Sequence, residues 1–109
     1  MAVYLLNSLI VPLDFDVINT AEVRFTKIDI PTAKKILATF ISAVGHESTA
    51  KLLTQLLEIS VPLNRITIRM RKGDVAVHFI PKIRLPEGVI LSKESLEKLD
   101  FWLIKSEVL

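Results

Sequence analysis

Apolar runs and alternations along the chain predict about five β-strands. Val3–Leu6 is a short continuous apolar run, which is typical of a strand buried on both faces. Glu22–Ile30 and Leu63–Arg71 alternate apolar with polar residues, as half-buried strands do. The other two predicted strands are Asp74–Lys82, where Pro81 suggests a sheet edge or a bulge, and Phe101–Val108.

Helical spacing of apolar residues predicts two helices between these strands and a third near the end. The first begins near Pro31 and carries Ala33, Ile36, Leu37, Phe40 and Ile41 on one face. The second follows Gly45 and places four leucines between residues 52 and 57 on one stripe. Ser92 is a suitable N-cap for a short helix through Leu99, and Lys72-Gly73 predicts a two-residue hairpin turn.

The order of these elements predicts a single α+β domain over residues 1–109. We expect one mixed β-sheet of about five strands with helices covering one face. Half of the residues are hydrophobic, and the mean hydropathy is +0.46. A chain of 109 residues has little interior in which to hide that surface, so we expect a homodimer.

Charge and composition narrow the range of functions. A net charge of +2 is too small for a protein that coats duplex nucleic acid, but it suits a local basic pocket for a compact anion. The absence of cysteine excludes disulfides and thiolate metal sites, and two histidines are too few for a histidine-rich metal site in one chain. The opening residues lack a basic region, and no apolar run reaches membrane-spanning length. We therefore expect a soluble cytoplasmic protein without cofactor, metal or membrane.

The segment from Ser42 to Thr49 carries the most chemical information. Gly45 can adopt a strained conformation at a tight entry, with His46, Glu47 and Ser48 in the first turn of the second helix. The unpaired amides of such a turn bind phosphate, and an imidazole there adds an ionisable group. A turn glycine followed by a solvated histidine is the alternative interpretation of this segment.

Three further groups of residues are candidates for contact with an anion. Arg65, Arg69 and Arg71 lie on one face of the predicted strand, where they form either a phosphate site or an ordinary solvated sheet face. Arg84 and Glu87 bracket a proline-containing turn, which is either a flap with a phosphate ligand or a surface loop with an ion pair. His78, inside a strand, is predicted to be a surface or interface side chain.

Taken in order, these segments resemble the viral type III anti-CRISPR ring nucleases, a family that also has cellular members. The similarity covers nearly the whole chain and depends on several motifs in sequence. They are Tyr4-Leu5-Leu6-Asn7-Ser8, Ser42-Ala43-Val44-Gly45-His46-Glu47-Ser48-Thr49, Val61-Pro62-Leu63-Asn64-Arg65, Gly73-Asp74 and Arg84-Leu85-Pro86-Glu87-Gly88.

The resemblance implies a homodimer that binds cyclic tetra-adenylate at its two-fold axis and cuts it without metal into short linear adenylates, chiefly di-adenylate. Such cleavage removes the signal with which type III CRISPR defence activates its effectors. By motif position, the catalytic histidine is His46, the supporting acid is Glu87, and the phosphate-binding arginines are Arg65 and Arg84. Asn7 and Ser8 match a strand end near the ligand.

This sequence departs from the family pattern a few positions past Asn7, where many members have a hydroxyl residue and this chain has Leu9, Ile10 and Val11. Two functions from other classes remain as alternatives: a non-catalytic nucleic-acid-binding dimer, such as a viral regulator, and a protein that only sequesters the cyclic nucleotide. The strand arginines are the best support for the regulator.

Overall fold

A computed structural model of the chain describes residues 1–83, 95 and 97–109. The strands and helices within this part define the frame of the molecule. In chain order they are β1 (Val3–Leu6), β2 (Val23–Ile28), α1 (Ile30–Ile36), β3 (Ile41–Ser42), α2 (Glu47–Leu57), β4 (Val75–Pro81) and β5 (Phe101–Val108).

The strands form one five-stranded sheet in the order β2-β5-β4-β1-β3. β1 pairs in parallel with both β3 and β4, so that Leu5 lies opposite Ser42 on one side and Val77 on the other. β5 is antiparallel to both β4 and β2. The prediction of an α+β fold with a mixed sheet is confirmed. Because β4 is central, the edge position suggested by Pro81 is wrong; this proline is the last residue of the strand.

The three parallel strands end at the same edge of the sheet, which we call the carboxyl edge. Asn7 leaves β1 there, Ala43 leaves β3 and Lys82 leaves β4. In sheets with parallel strands, ligands bind in the crevice beyond the carboxyl ends of the strands. The topology therefore brings the chain segments with the candidate chemistry to one place.

Helices α1 and α2 cover one face of the sheet, as predicted. Leu5, Val77 and Phe79 of the sheet pack there against Leu53 and Leu57 of α2, all fully or almost fully buried. The leucine stripe of α2 faces this core, so the helical spacing was interpreted correctly. Burial of each such side chain contributes roughly 1.5–3 kcal/mol to stability.

Irregular segments cover the opposite face. Ile68 and Met70 are buried there against Leu6, Ala76 and Val108. The predicted strand Leu63–Arg71 is wrong, because the segment contributes only an isolated bridge between Met70 and Leu13. Strands β1 and β5 already occupy the two pairing positions beside β4, so the Leu63–Arg71 segment crosses the face of the sheet instead of joining it. Alternate burial suits an extended crossing chain as well as a paired strand.

The predicted hairpin at Lys72-Gly73 is therefore also wrong, although a turn is present. Gly73 has φ 91°, a left-handed conformation that glycine adopts without steric cost. The Asp74 amide donates to the Arg71 carbonyl oxygen over 3.0 Å, and the chain then enters β4.

The first helix is shorter than predicted at its end. It starts after Asp29, whose carboxylate accepts from the Thr32 amide over 2.9 Å, and Pro31 lies in its first turn. It stops at Ile36, and Ile41–Ser42 forms β3 against β1. Pairing at the sheet edge overrides the helical spacing that reached Ile41.

The end of the chain agrees with the sequence where it is described. β5 has the predicted bounds. Within the predicted helix from Ser92 to Leu99, residues 92–94 and 96 lie outside the described residues, and Ser95 and Glu97 are helical. No helix in the described part of the chain is long and apolar enough to cross a membrane.

Candidate functional site

The chain that leaves β3 at the carboxyl edge leads directly into α2. His46 is the N-cap residue, with extended backbone at φ −124° and ψ 129°, and its side chain makes no capping hydrogen bond. The first helical hydrogen bond runs from the Ala50 amide to the His46 carbonyl oxygen over 3.0 Å. The amides of residues 47–49 therefore have no acceptor within the helix, and they lie at the positive end of its dipole. This is the arrangement that binds phosphate groups.

Glu47 and Ser48 lie in the first turn of α2, as predicted, whereas His46 precedes it by one residue. Both His46 and Glu47 are exposed, and the Glu47 carboxylate pairs with Lys51 one turn later over 3.2 Å. An exposed imidazole beside unpaired helix amides is in position to exchange a proton with a bound phosphodiester.

Gly45 has a different role from the one predicted. The described glycine with positive φ is Gly73, so Gly45 does not need a left-handed conformation. A β-carbon at Gly45 would instead lie 3.4 Å from Cγ of Arg65, at the near limit of ordinary contact. The small residue thus allows the arginine side chain to lie directly against the backbone that precedes His46.

Arg65 lies beside His46 because its side chain contacts Gly45, the residue before the histidine. Its Nε donates to the Gly45 carbonyl oxygen over 2.6 Å, and the side chain is otherwise exposed. Its two terminal nitrogens make no hydrogen bond within the described residues, so they are available to an anion. A guanidinium stays charged at any relevant pH and binds phosphate with two parallel hydrogen bonds.

Two polar side chains lock this arrangement together. The Ser42 hydroxyl donates to the Pro62 carbonyl oxygen over 2.7 Å and accepts from the Val44 amide over 3.3 Å. The side-chain amide of Asn64 donates to the Ser42 carbonyl oxygen over 2.7 Å, and the backbone amide of Asn64 donates to the Val44 carbonyl oxygen over 2.9 Å. The chain before His46 and the chain before Arg65 are thus joined by three of these hydrogen bonds, and the fourth holds the first segment's own backbone.

The end of β1 emerges at the same carboxyl edge. Asn7 is half-buried and Ser8 is exposed, and both lie in a bend that directly follows the strand. The Ser8 carbonyl oxygen lies 2.8 Å from Nδ1 of His78. The predicted surface position of His78 is wrong, because the side chain is fully buried between the strands and this bend.

Arg84 and Glu87 lie outside the described residues. The chain approaches them through Lys82 and Ile83, which follow β4 at the carboxyl edge. Lys82 is already engaged: its ammonium pairs with Asp100 over 3.2 Å and lies 5.2 Å from the centre of the Trp102 ring.

The other arginines do not share a strand face with Arg65. Arg69 donates to the carbonyl oxygen of Ile68, its own neighbour, over 3.0 Å. Arg71 pairs with the buried Asp14 over 3.1 Å, next to the amino end of β4 and so away from the carboxyl edge. The described residues also contain no group of three His, Cys, Asp or Glu side chains that could hold a metal ion.

Sequence reasoning missed the roles of Ser42, Asn64 and His78. Ser42 and Asn64 stand in the motifs that carry the resemblance, but nothing in the spacing indicates that they bond to each other across 22 positions. For His78 a signal existed, because its neighbours Val77 and Phe79 lie in a strand that is apolar on both faces. A polar residue inside such a strand is buried with partners.

Comparison with known proteins places the chain in a wider group. A sequence profile of the STIV B116-like family matches residues 3–103. Protein 26 of Sulfolobus islandicus filamentous virus is 41% identical over 107 residues, which cover 94% of this chain and 89% of that protein. Protein ORF117 of Acidianus two-tailed virus is 36% identical over 106 residues, 93% of this chain and 88% of that protein.

A solved structure has the same fold. B116 of Sulfolobus turreted icosahedral virus superposes with a TM-score of 0.83, covering 98% of this chain and 99% of that chain. The two sequences are 24% identical, so this likeness concerns the fold alone.

Proposed function

The chain belongs to the STIV B116-like family, and we propose that this member is a ring nuclease that binds cyclic tetra-adenylate and cuts it into linear di-adenylate. In this proposal it acts as a homodimer and switches off type III CRISPR signalling. The substrate comes from the resemblance of the motifs around Asn7, His46, Arg65, Arg84 and Glu87 to the anti-CRISPR ring nucleases.

One observation carries the proposal: the unpaired amides of α2, the exposed His46 and Arg65 meet at the carboxyl edge. Arg65 reaches the residue next to His46 through a hydrogen bond of 2.6 Å. A phosphodiester in this place would meet amide donors, a permanent positive charge and an ionisable imidazole together. These are the groups that cleavage of RNA requires.

The chemistry needs no nucleophile from the protein. The ribose 2′-oxygen attacks the adjacent phosphorus, the bond from phosphorus to the 5′-oxygen breaks, and a 2′,3′-cyclic phosphate remains on one product. The proton of the 2′-hydroxyl passes to solvent, and His46 supplies a proton to the departing 5′-oxygen. Arg65 and the α2 amides neutralise the charge on the pentacoordinate phosphorus, where fixed donors are most effective.

A second copy of the chain would complete the site. Exposed apolar side chains line a groove of about 360 Å³ on the face opposite the helices. Leu9, Phe25 and Trp102 in this groove are 52%, 52% and 43% exposed. Leu9 directly follows the Asn7–Ser8 bend, so a partner seated here would lie beside the site. A two-fold dimer presents two copies of His46 to a ring with opposite equivalent linkages.

The direct test is incubation of the purified protein with cyclic tetra-adenylate in EDTA, with chromatographic separation of the products. Linear di-adenylate that ends in a 2′,3′-cyclic phosphate is the expected product. Binding without cleavage would favour the sequestering protein instead. Neither binding nor cleavage would favour the nucleic-acid-binding dimer, although the dispersal of Arg69 and Arg71 gives that function little support.

A further inference from the structure

The buried histidine of β4 uses both of its ring nitrogens. His78 has no exposed surface. Its Nδ1 lies 2.8 Å from the Ser8 carbonyl oxygen, and its Nε2 lies 2.7 Å from the Ser106 hydroxyl of β5. A single side chain therefore connects the centre of the sheet to the bend that follows β1.

The chemistry of these two partners determines which nitrogen carries the proton. A carbonyl oxygen can only accept, so Nδ1 must donate to Ser8. A hydroxyl can donate as well as accept, so Ser106 donates to the lone pair of Nε2. Burial lowers the pKa of His78 below its usual value, and this effect outweighs the hydrogen bond to Ser8, which acts in the opposite direction. The ring is therefore neutral, with its proton on Nδ1.

The position of this bond matters because the chain loses its strand pairing at that point. Leu6 is the last residue of β1 and lies opposite His78 in the β1–β4 register. Residues 7–9 form bends, with Asn7 at the carboxyl edge before Ser8 and Leu9 in the apolar groove after it. Holding the Ser8 carbonyl fixes the course of the chain through both.

We propose that His78 is a positioning residue that holds the Asn7–Ser8 bend at the ligand site by donating from Nδ1 to the Ser8 carbonyl oxygen. For its effect on the ligand, the inference rests on the proposed ring nuclease function. His78 itself is buried and does not touch the ligand; it acts through the backbone of the bend.

Two amide variants that differ by one methylene group separate this role from a general role in packing. In His78→Asn the amide nitrogen occupies the place of Nδ1, so the bond to Ser8 is kept and the bond to Ser106 is lost. In His78→Gln the terminal amide occupies the place of Nε2, so the bond to Ser106 is kept and the bond to Ser8 is lost. Both variants leave one buried group unpaired, so a packing role predicts similar defects.

The first measurements need no ligand. Long-range ¹H–¹⁵N NMR of the wild-type protein should show His78 neutral and protonated on Nδ1. Amide exchange of Leu6, the last paired residue of β1 and the one nearest the bend, should be faster in His78→Gln than in His78→Asn by about tenfold, the effect of losing one hydrogen bond. A proton on Nε2, or equal exchange in the two variants, would overturn the proposal.

The effect on the site is then measured with cyclic tetra-adenylate as the probe. His78→Gln should weaken ring binding by about tenfold, with little change in the maximal single-turnover rate, whereas His78→Asn should bind within about twofold of wild type. Equal binding by the two variants would overturn the positioning role. If the wild type neither bound nor cut the ring, the proposed function would fail. The NMR and exchange results would still decide whether His78 holds the Asn7–Ser8 bend. If either variant failed to fold, the position of the ring proton in the wild-type protein, measured by NMR, would still decide it.

Discussion

His46 combines solvent exposure with a place next to unpaired helix amides, and its imidazole is not used for capping. We expect His46→Ala to lose about 10²–10⁴-fold in cleavage, the contribution of a general acid. Ring binding should stay close to that of the wild type, because a general acid acts mainly in the transition state. Single-turnover cleavage measured beside equilibrium binding checks this. Residual cleavage within about tenfold of wild type would be too fast for loss of the sole acid.

Arg65 contacts the anion before and during the reaction in the proposed mechanism. Arg65→Ala should therefore weaken ring binding by about 10–100-fold, the effect of losing hydrogen bonds to a charged group, and cleavage at low ring concentration should fall equally. Arg69→Ala is the matched control, since it removes the same charge from an exposed position that bonds only to its own neighbour's backbone. Similar losses in both variants would mean that general positive charge, and not contact at the site, is responsible.

At the scale of elements, the loop between β3 and α2 depends on the irregular segment that carries Arg65. Asn64→Ala removes the side-chain donor to the Ser42 carbonyl oxygen. The loss should lower the free energy of unfolding by about 1–3 kcal/mol, the cost of leaving a partly buried acceptor unpaired. It should also weaken ring binding, because Arg65 and Gly45 lose part of their shared support.

Chemical denaturation and ring titration of this variant give the two quantities. Thr67→Ala, an exposed change in the same segment, serves as the control. Asn64→Ala could also be less stable and still bind the ring as the wild type does. The hydrogen bond from Asn64 to Ser42 would then stabilise the fold without shaping the site.

For the whole molecule, the apolar groove should be the contact between two copies. Trp102→Glu places a carboxylate where a partner would bury an apolar ring, so the variant should sediment as a monomer and lose ring cleavage. Phe15→Glu is the control, since Phe15 is also exposed, at 63%, but is not part of the groove. Dissociation of the control and not of Trp102→Glu would place the interface elsewhere.

The stability of the whole molecule should depend on pH through His78. Burial holds the pKa of His78 below its usual value of 6.5 in the folded chain. As the pH falls below that value, the unfolded chain binds a proton that the folded chain does not bind, so the free energy of unfolding decreases on acidification. The full stability is present above that pH. The contribution of one proton is at most about 1.4 kcal/mol per pH unit.

Unfolding free energies of wild type and His78→Asn, measured between pH 5 and 8, give this contribution by difference, since every other group is common to both. The wild type should lose stability more steeply as the pH falls. Parallel curves would mean that folding does not shift the pKa of His78.

The sequence determined those features that depend on neighbouring residues. The apolar runs of β1, β4 and β5 and the leucine stripe of α2 each specify an element and its buried face, because side-chain period follows backbone geometry. The order of elements indicated the fold class. Helix amides and the helix dipole are local properties, so the sequence also predicts a phosphate site at the glycine and histidine that precede α2. That site stays a prediction.

Only the tertiary structure decided how distant segments meet. Alternation in Leu63–Arg71 is the same for a paired strand and for an extended chain crossing a face; the occupied neighbours of β4 excluded the strand. The contact of Arg65 with Gly45, the lock between Asn64 and Ser42, and the bond from His78 to Ser8 join residues 20, 22 and 70 positions apart. A hydrogen bond between such residues leaves no periodic trace in the sequence, because it depends on where the sheet brings the chain.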